Sequence, residues 1–294
     1  ELIPGGDDSL YTLGSYLDAA NFPGGHAAEI VLPRTTADVV DGLTTSASVL
    51  PVGAQSSLTG GATPMGETIL ATTKMNRVID IEPGLITVEP GVTIAAMQER
   101  LTEAGAWFPP APTFTGAFAG GIVATNAAGA ATFKYGSTRD WVEALTVVLA
   151  DGTVLDVRRG TQRAGHGGFE IETASGRVSV PVPTYRMPNV AKRSAGYHAA
   201  PGMDLIDLFI GSEGTLGVIT QISFRTLSPA PNIVLAWVPC ADEAQGLGLV
   251  QTLRDASIET RRTGAADGLD ACAIEHMDRR SLEIVREDGA EDRR

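Results

Sequence analysis

Gly120-Gly121-Ile122-Val123-Ala124-Thr125-Asn126-Ala127-Ala128-Gly129 carries almost no bulky side chain, and this character extends from Ala117 to Ala131. A backbone so bare can lie against a flat, rigid ligand, with Thr125 and Asn126 offering polar groups to a ring's edge. Close helix packing would use the same composition. Upstream stands Pro109-Pro110-Ala111-Pro112-Thr113-Phe114-Thr115-Gly116. Downstream, Lys134-Tyr135-Gly136-Ser137-Thr138-Arg139-Asp140-Trp141 leads into the apolar strand Val142–Leu149. Arg139 and Asp140 could be merely a surface ion pair of little weight.

Two more segments have chemical character. Pro51-Val52-Gly53-Ala54-Gln55-Ser56-Ser57-Leu58-Thr59-Gly60-Gly61 runs from a strand into a loop of glycines and hydroxyls with no lysine. Successive N–H groups in such a loop form an anion-binding nest, and Ser56, Ser57 and Thr59 add donors. A plain surface loop would look the same. Gly211-Ser212-Glu213-Gly214-Thr215-Leu216-Gly217-Val218-Ile219-Thr220 sets Glu213 in a glycine turn at the start of a strand. A carboxylate there can accept a ribose hydroxyl, and the strand's edge can pair with adenine.

Around these segments the periodicity predicts helices over Ala37–Ser46, Ile94–Ala104 (stopped by Gly105) and Asp242–Ala256. It predicts strands over Val49–Val52, Thr68–Thr72, Val78–Ile81, Leu85–Val88, Val142–Leu149, Val154–Val157, Phe169–Thr173, Val178–Val182 and Ile233–Val238. It also predicts an alternating strand over Val218–Thr226. Leu205–Ile210 reads as helical or extended, and Pro229 with Pro231 marks a domain boundary. The pattern is α+β, without the regular alternation of a Rossmann domain.

Of the 294 residues 43% are hydrophobic, enough for two domains. The net charge of −13 argues against nucleic acid, whose phosphates need a basic face. The two cysteines, Cys240 and Cys272, lack CxxC spacing, and His26, His166, His198 and His276 lack metal-ligand spacing, so no metal is expected. The start, ELIPGGDDSL, has neither the basic nor the apolar region of a signal peptide, and no apolar run approaches a membrane span. A cytoplasmic protein is the expectation. The tail Glu287–Arg294 is charged and expected to fray. GxGxxG, GxxxxGK[ST], HExxH and GxSxG are all absent.

GGxxxTNAAG at Gly120–Gly129, KYGSTRDWV at Lys134–Val142 and GSEGTLGVIT at Gly211–Thr220 resemble, in order and spacing, the FAD domain of the vanillyl-alcohol oxidase and para-cresol methylhydroxylase (PCMH) family. The likeness is to its D-lactate dehydrogenase, glycolate oxidase and D-2-hydroxyglutarate dehydrogenase branch, and it runs from about Ala28 to Pro229. It implies a two-subdomain PCMH-type FAD-binding domain over 1–228, with an inner boundary near 85–90, and the beginning of an α+β cap over 229–294. By position, Pro51, Gly53, Ala54, Gln55, Ser56, Ser57, Gly60 and Gly61 would hold the FAD diphosphate. Pro112, Thr113, Gly116, Gly120, Gly121, Thr125, Asn126 and Gly129 would line the flavin and ribityl chain, with Tyr135 and Gly136 in the same set. Glu213, Gly217, Val218 and Ile219 would face ribose and adenine. Some members attach the flavin to a histidine in the first loop; Ala54, Gln55 and Ser56 offer none, so the FAD is expected to be non-covalent.

The implied reaction is hydride transfer from the carbinol carbon of a D-lactate- or glycolate-like 2-hydroxy acid to flavin N5. The substrate carboxylate needs a cationic clamp. Arg186, Lys192 and Tyr197 are the catalytic candidates, in a stretch resembling the one that precedes GSEGT in relatives; solvated charges are the alternative. Relatives carry a cap and a C-terminal segment with the base histidine and any metal ligands. Ile233–Met277 resembles only the start of a cap, so the base is expected beyond Arg294, and a longer chain, partner subunit or homodimer would complete the site. Sugar or alditol oxidation, an electron-transfer subunit, and binding of a different nucleotide are the rivals, and the electron acceptor is open.

Overall fold

The computed structural model describes residues 14, 16–19, 22, 24–165, 167–190, 192–193 and 196–287. The expectations for residues 1–10, His166 and the tail beyond Glu287 lie outside them. By internal compactness the chain divides into two units, 1–129 with 136–231 and 130–135 with 232–294. Residues 130–135, placed with the first domain in the linear reading, group with the second.

In the first unit, β1 (Glu29–Val31), β2 (Val49–Val52) and β3 (Thr68–Ala71) form a parallel sheet in the order β1-β3-β2. Parallel strands of one sheet require crossovers, and the Thr36–Thr45 helix supplies the one between β1 and β2. A capping box starts that helix: Thr35 Oγ1 accepts from Asp38 N at 3.2 Å, and Asp38 Oδ2 accepts from Thr35 N at 2.9 Å. The central strand, TILA, is buried along its whole length, as a parallel strand covered on both faces must be.

The remaining strands are β4 (Val78–Glu82), β5 (Leu85–Val88), β6 (Val142–Val148), β7 (Val154–Arg158), β8 (Phe169–Thr173), β9 (Gly176–Val180) and β10 (Val218–Arg225). Five of them build an antiparallel sheet in the order β4-β5-β10-β6-β7, and β8 with β9 makes a separate hairpin. The change of sheet falls between Ala71 and Val78, ahead of the expected 85–90. The cause is pairing: Ile81 lies opposite Ile86 and Glu82 opposite Leu85, which commits β4 to the second sheet. β9 starts at Gly176, two residues before the expected Val178, because Gly176 pairs with Thr173 across the tight turn. Leu205–Ile210 resolves as a short helix, Ile206–Phe209.

β10 departs from its expected alternation. Only Gln221 and Arg225 are exposed, since Ile219, Ile222 and Phe224 pack into one buried cluster and Val218 into another. Its polar residues are buried with partners: Ser223 Oγ lies 2.9 Å from Thr87 Oγ1, and Thr220 Oγ1 donates to Thr146 O at 3.4 Å. The Ile94–Glu103 helix buries Ile94, Met97 and Leu101 on one face and ends before Gly105, whose φ of +66° an L side chain would resist. Phe108 packs on Phe224 of β10 with ring centroids 4.7 Å apart.

The second unit is built on the Glu243–Thr263 helix, longer than the expected Asp242–Ala256. Asp242 caps it by accepting from Gln245 N at 2.8 Å, and Gly264 ends it at φ +67°. The Arg261 guanidinium lies 4.4 Å from the centroid of the Phe133 ring and bonds Asp270 at 2.7 Å; Lys134 Nζ reaches the other Asp270 oxygen at 2.5 Å. Ile233–Val238 is not the expected strand. It has no regular structure, and Val234 and Leu235 are 90% and 94% exposed. No strand among the described residues pairs with it, and an unpaired strand leaves its N–H and C=O groups to water. No helix of the described residues is long and apolar enough to cross a membrane.

Candidate functional site

A cavity of about 310 Å³ opens in the first unit where three segments converge. The first is the loop after β2. Pro51, Gly53, Ala54, Gln55, Ser56, Ser57 and Gly61 line the cavity, and Gly60 does not. Gln55 sits at φ +50°, and its side-chain amide donates to Tyr16 O and Ala62 O, both at 2.9 Å. That double bond folds the loop back on itself. Among the described residues, no acceptor takes the N–H groups of Gly53, Ala54, Ser56 or Ser57. These are the donors that a nest offers to an anion.

The second segment is the short Ala119–Ala124 helix and its approach. Pro112, Gly120, Gly121 and Thr125 line the cavity; Thr113, Gly116, Asn126 and Gly129 do not. A Cβ on Gly121 would meet no protein atom within 4 Å, so the absent side chain leaves open space. Gly120 and Gly129 are bare for another reason. A Cβ on Gly120 would come to 2.7 Å from Pro90 Cβ, and one on Gly129 to 2.1 Å from Ala111 O. Both readings of the glycine run therefore hold, at different residues. Thr125 Oγ1 is spent on Gly121 O at 2.9 Å.

The third segment is the turn into β10. Glu213, Gly217, Val218 and Ile219 line the cavity. Glu213 is exposed, and its Oε2 lies 3.9 Å from where a Gly61 Cβ would stand, so its carboxylate reaches across toward the first loop. Gly217, at φ +153°, has no room for a side chain beside Val147 and Val148.

Other expected site residues lie elsewhere. Tyr135 and Gly136 are not in the lining. Arg186 and Lys192 are exposed, and Tyr197 is 38% exposed with its hydroxyl 2.6 Å from Thr215 Oγ1; none of the three lines the cavity. Asn126, expected at a ring's edge, is only 2% exposed and bonds protein backbone on both sides. Arg139 is no surface pair with Asp140. It bonds Asp207 at 2.9 Å, while Asp140 caps the turn at Ser137.

Several lining residues escaped the sequence reading. Phe118, Thr72, Pro90 and Ser212 join the cavity. Thr72 follows the end of β3, beside β2 in the parallel sheet, and a sheet-edge argument would have found it. Pro90 belongs to a turn whose carbonyl accepts from Gly120 N at 2.8 Å, a contact with no local signature. Among the described residues, no group of three or more histidine, cysteine, aspartate or glutamate side chains gathers to hold a metal.

The family described as FAD binding domain matches residues 27–158. The chain is 34% identical over 193 residues to D-lactate dehydrogenase of Anaerostipes hadrus, covering 65% of this chain and 33% of that protein. It is 32% identical over 270 residues to mitochondrial D-2-hydroxyglutarate dehydrogenase of Bos taurus, covering 89% and 41%. It is 31% identical over 210 residues to glycolate oxidase subunit GlcD of Bacillus subtilis (strain 168), covering 69% and 37%. The chain thus spans about a third to two fifths of the length of these relatives. Among solved structures, an alkyldihydroxyacetonephosphate synthase shares the fold at TM-score 0.53 and 19% identity, over 78% of this chain and 37% of that one.

The lining suits the cofactor. It supplies backbone donors that no described residue pairs, a bare glycine surface for a planar ring system, and a carboxylate for hydroxyl groups, with open space at Gly121. The geometry and the matched family agree on an FAD binding domain over residues 27–158, with FAD as its cofactor.

Proposed function

We propose that this protein binds FAD non-covalently and uses it to oxidise the carbinol carbon of a 2-hydroxy acid of the D-lactate or glycolate kind. The FAD supplies the hydride acceptor. The observation that carries the binding mode is the composition of the cavity wall. Among the described residues it contains no histidine, cysteine or tyrosine to form a covalent link, and no lysine or arginine to pair with the diphosphate. Anion binding then falls to the N–H groups of the Gly53–Ser57 loop, and orientation to Glu213 and the glycine surface. The names of three relatives support a hydroxy-acid substrate.

Arg186, Lys192 and Tyr197 are our candidates for substrate contact. The support is that the Tyr197 hydroxyl meets Thr215, which ties their loop to the turn lining the cavity. Residues 1–228 would form the FAD-binding domain and 229–294 the start of a substrate cap. One relative is named as a subunit, which favours a second reading: an FAD-carrying subunit that acts with a partner. The free thiols of Cys240 and Cys272 suit a reducing compartment such as the cytoplasm, and one relative is named as mitochondrial.

The test is an absorption spectrum of the purified chain followed by acid precipitation. Flavin bands that pass into the supernatant are the expected result, and colour retained in the pellet would refute non-covalent binding. Anaerobic addition of D-lactate, glycolate and D-2-hydroxyglutarate should then bleach the bands with at least one of them. Bleaching by sugars or alditols alone would overturn the hydroxy-acid assignment.

A further inference from the structure

We propose that Asn126 and Arg139 are positioning residues that set the spacing between two walls of the FAD cavity, without touching the cofactor. The proposal rests on the FAD assignment above.

The two walls are the Ala119–Ala124 helix and the turn that begins at Gly211. They meet through backbone bonds at the C-terminal end of the helix, where carbonyls lack intrahelical partners. Val123 O accepts from Gly211 N at 3.0 Å, and Ala124 O accepts from Glu213 N at 2.8 Å. This junction needs left-handed backbone at three places: Asn126 at φ +46°, Gly211 at +83° and Glu213 at +53°. Gln55, Asn126 and Glu213 are the non-glycine residues with positive φ among the described residues, and all lie in or beside the cavity segments. Strain of this kind persists only where the surroundings enforce it.

Asn126 and Arg139 do the enforcing. Asn126 Oδ1 accepts from Arg139 N at 2.9 Å, and Asn126 Nδ2 donates to Arg193 O at 3.1 Å. The guanidinium of Arg139 works at the other wall. Its Nη1 donates to Asp207 O at 2.7 Å and to Asp207 Oδ1 at 2.9 Å, and its Nη2 donates to Ile210 O, the carbonyl just before Gly211. Arg139 is therefore held by the first wall through its backbone and holds the second through its side chain. The planar fork explains the choice of arginine, since one ammonium cannot reach two diverging carbonyls in a fixed geometry. Glycine at 211 is required in turn: a Cβ there would stand 3.3 Å from Asn126 Cβ and 3.4 Å from Arg139 Nη2.

Asn126→Gly separates the two roles of Asn126, because glycine takes φ +46° without strain and makes neither side-chain bond. Arg139→Lys keeps a charge facing Asp207, which also retains Arg159 at 3.2 Å, but loses the fork to Ile210. The experiment titrates FAD into the flavin-stripped full-length chain of wild type and both variants. It reads the dissociation constant, the visible circular dichroism of the bound flavin, and the fraction folded at the titration temperature. Each variant should bind FAD roughly tenfold more weakly and change the flavin dichroism while remaining folded. Wild-type affinity with unchanged dichroism in both variants would overturn the proposal, as would a loss of binding that disappears once corrected for unfolded protein. A wild-type chain that takes up no FAD would instead sink the cofactor assignment, and this inference with it.

Discussion

Two apolar stretches of this chain have opposite fates. Val218–Arg225, VITQISFR, contains four polar or charged residues and is the buried central strand of the five-stranded sheet. Ile233–Val238, IVLAWV, contains none and lies without regular structure, with Leu235 94% exposed. β-Propensity alone would rank them the other way. The difference is pairing. VITQISFR has β5 on one side and β6 on the other, and its hydroxyls find hydroxyl and carbonyl partners there. IVLAWV has no strand beside it among the described residues, so its hydrophobicity finds no face to join.

Phe224→Ala and Leu235→Ala test this contrast most sharply. Phe224 is fully buried against Phe108, and its truncation should cost about 3–5 kcal/mol of stability in denaturant unfolding. Leu235→Ala should stay within about 0.5 kcal/mol. Similar losses in both would show that IVLAWV is packed in solution.

A smaller effect is expected at the cavity beside β10. Gly121→Val puts a side chain into space that no protein atom occupies. The unfolding midpoint should hold while FAD affinity falls by roughly tenfold or more. Undiminished affinity would mean that the cofactor does not pass over Gly121.

The smallest effect concerns His198. Burial first, and then the charge of Arg139, hold this imidazole below its ordinary value of 6.5. The folded state thus disfavours the proton that the unfolded chain accepts. Its contribution to stability is present above 6.5 and is lost as pH falls through the lower folded value. Unfolding midpoints should therefore drop on acidification below about pH 6.5, and His198→Gln should flatten that slope. An identical slope in the variant would exclude His198 as its source.

Most elements were legible before the structure. The glycine stop at Gly105 acts over three or four residues, and local bonds of that range are written in adjacent letters. The cavity segments were legible for the same reason, as strings of small residues. What was misread shares one cause. Asn126 and Arg139 looked like a ligand contact and a surface pair because their partners, Arg193 and Asp207, stand 67 and 68 residues away. Pro90 was missed because its partner Gly120 lies on the Ala119–Ala124 helix, distant from it in the chain.

The sequence by itself determined the α+β class, the run of bare backbone at Gly120–Gly129, the loop of glycines and hydroxyls at Gly53–Gly61 and the absence of a histidine at Ala54–Ser56. Each depends on local conformation or on which atoms a residue carries. Only the tertiary structure decided which glycines face open space and which are squeezed against backbone. It alone also decided that IVLAWV would go unpaired and that a buried asparagine and a part-buried arginine would join the two walls. Those outcomes depend on which distant segments arrive side by side, and hydrogen bonds and packing across such separations leave no periodic mark in the chain.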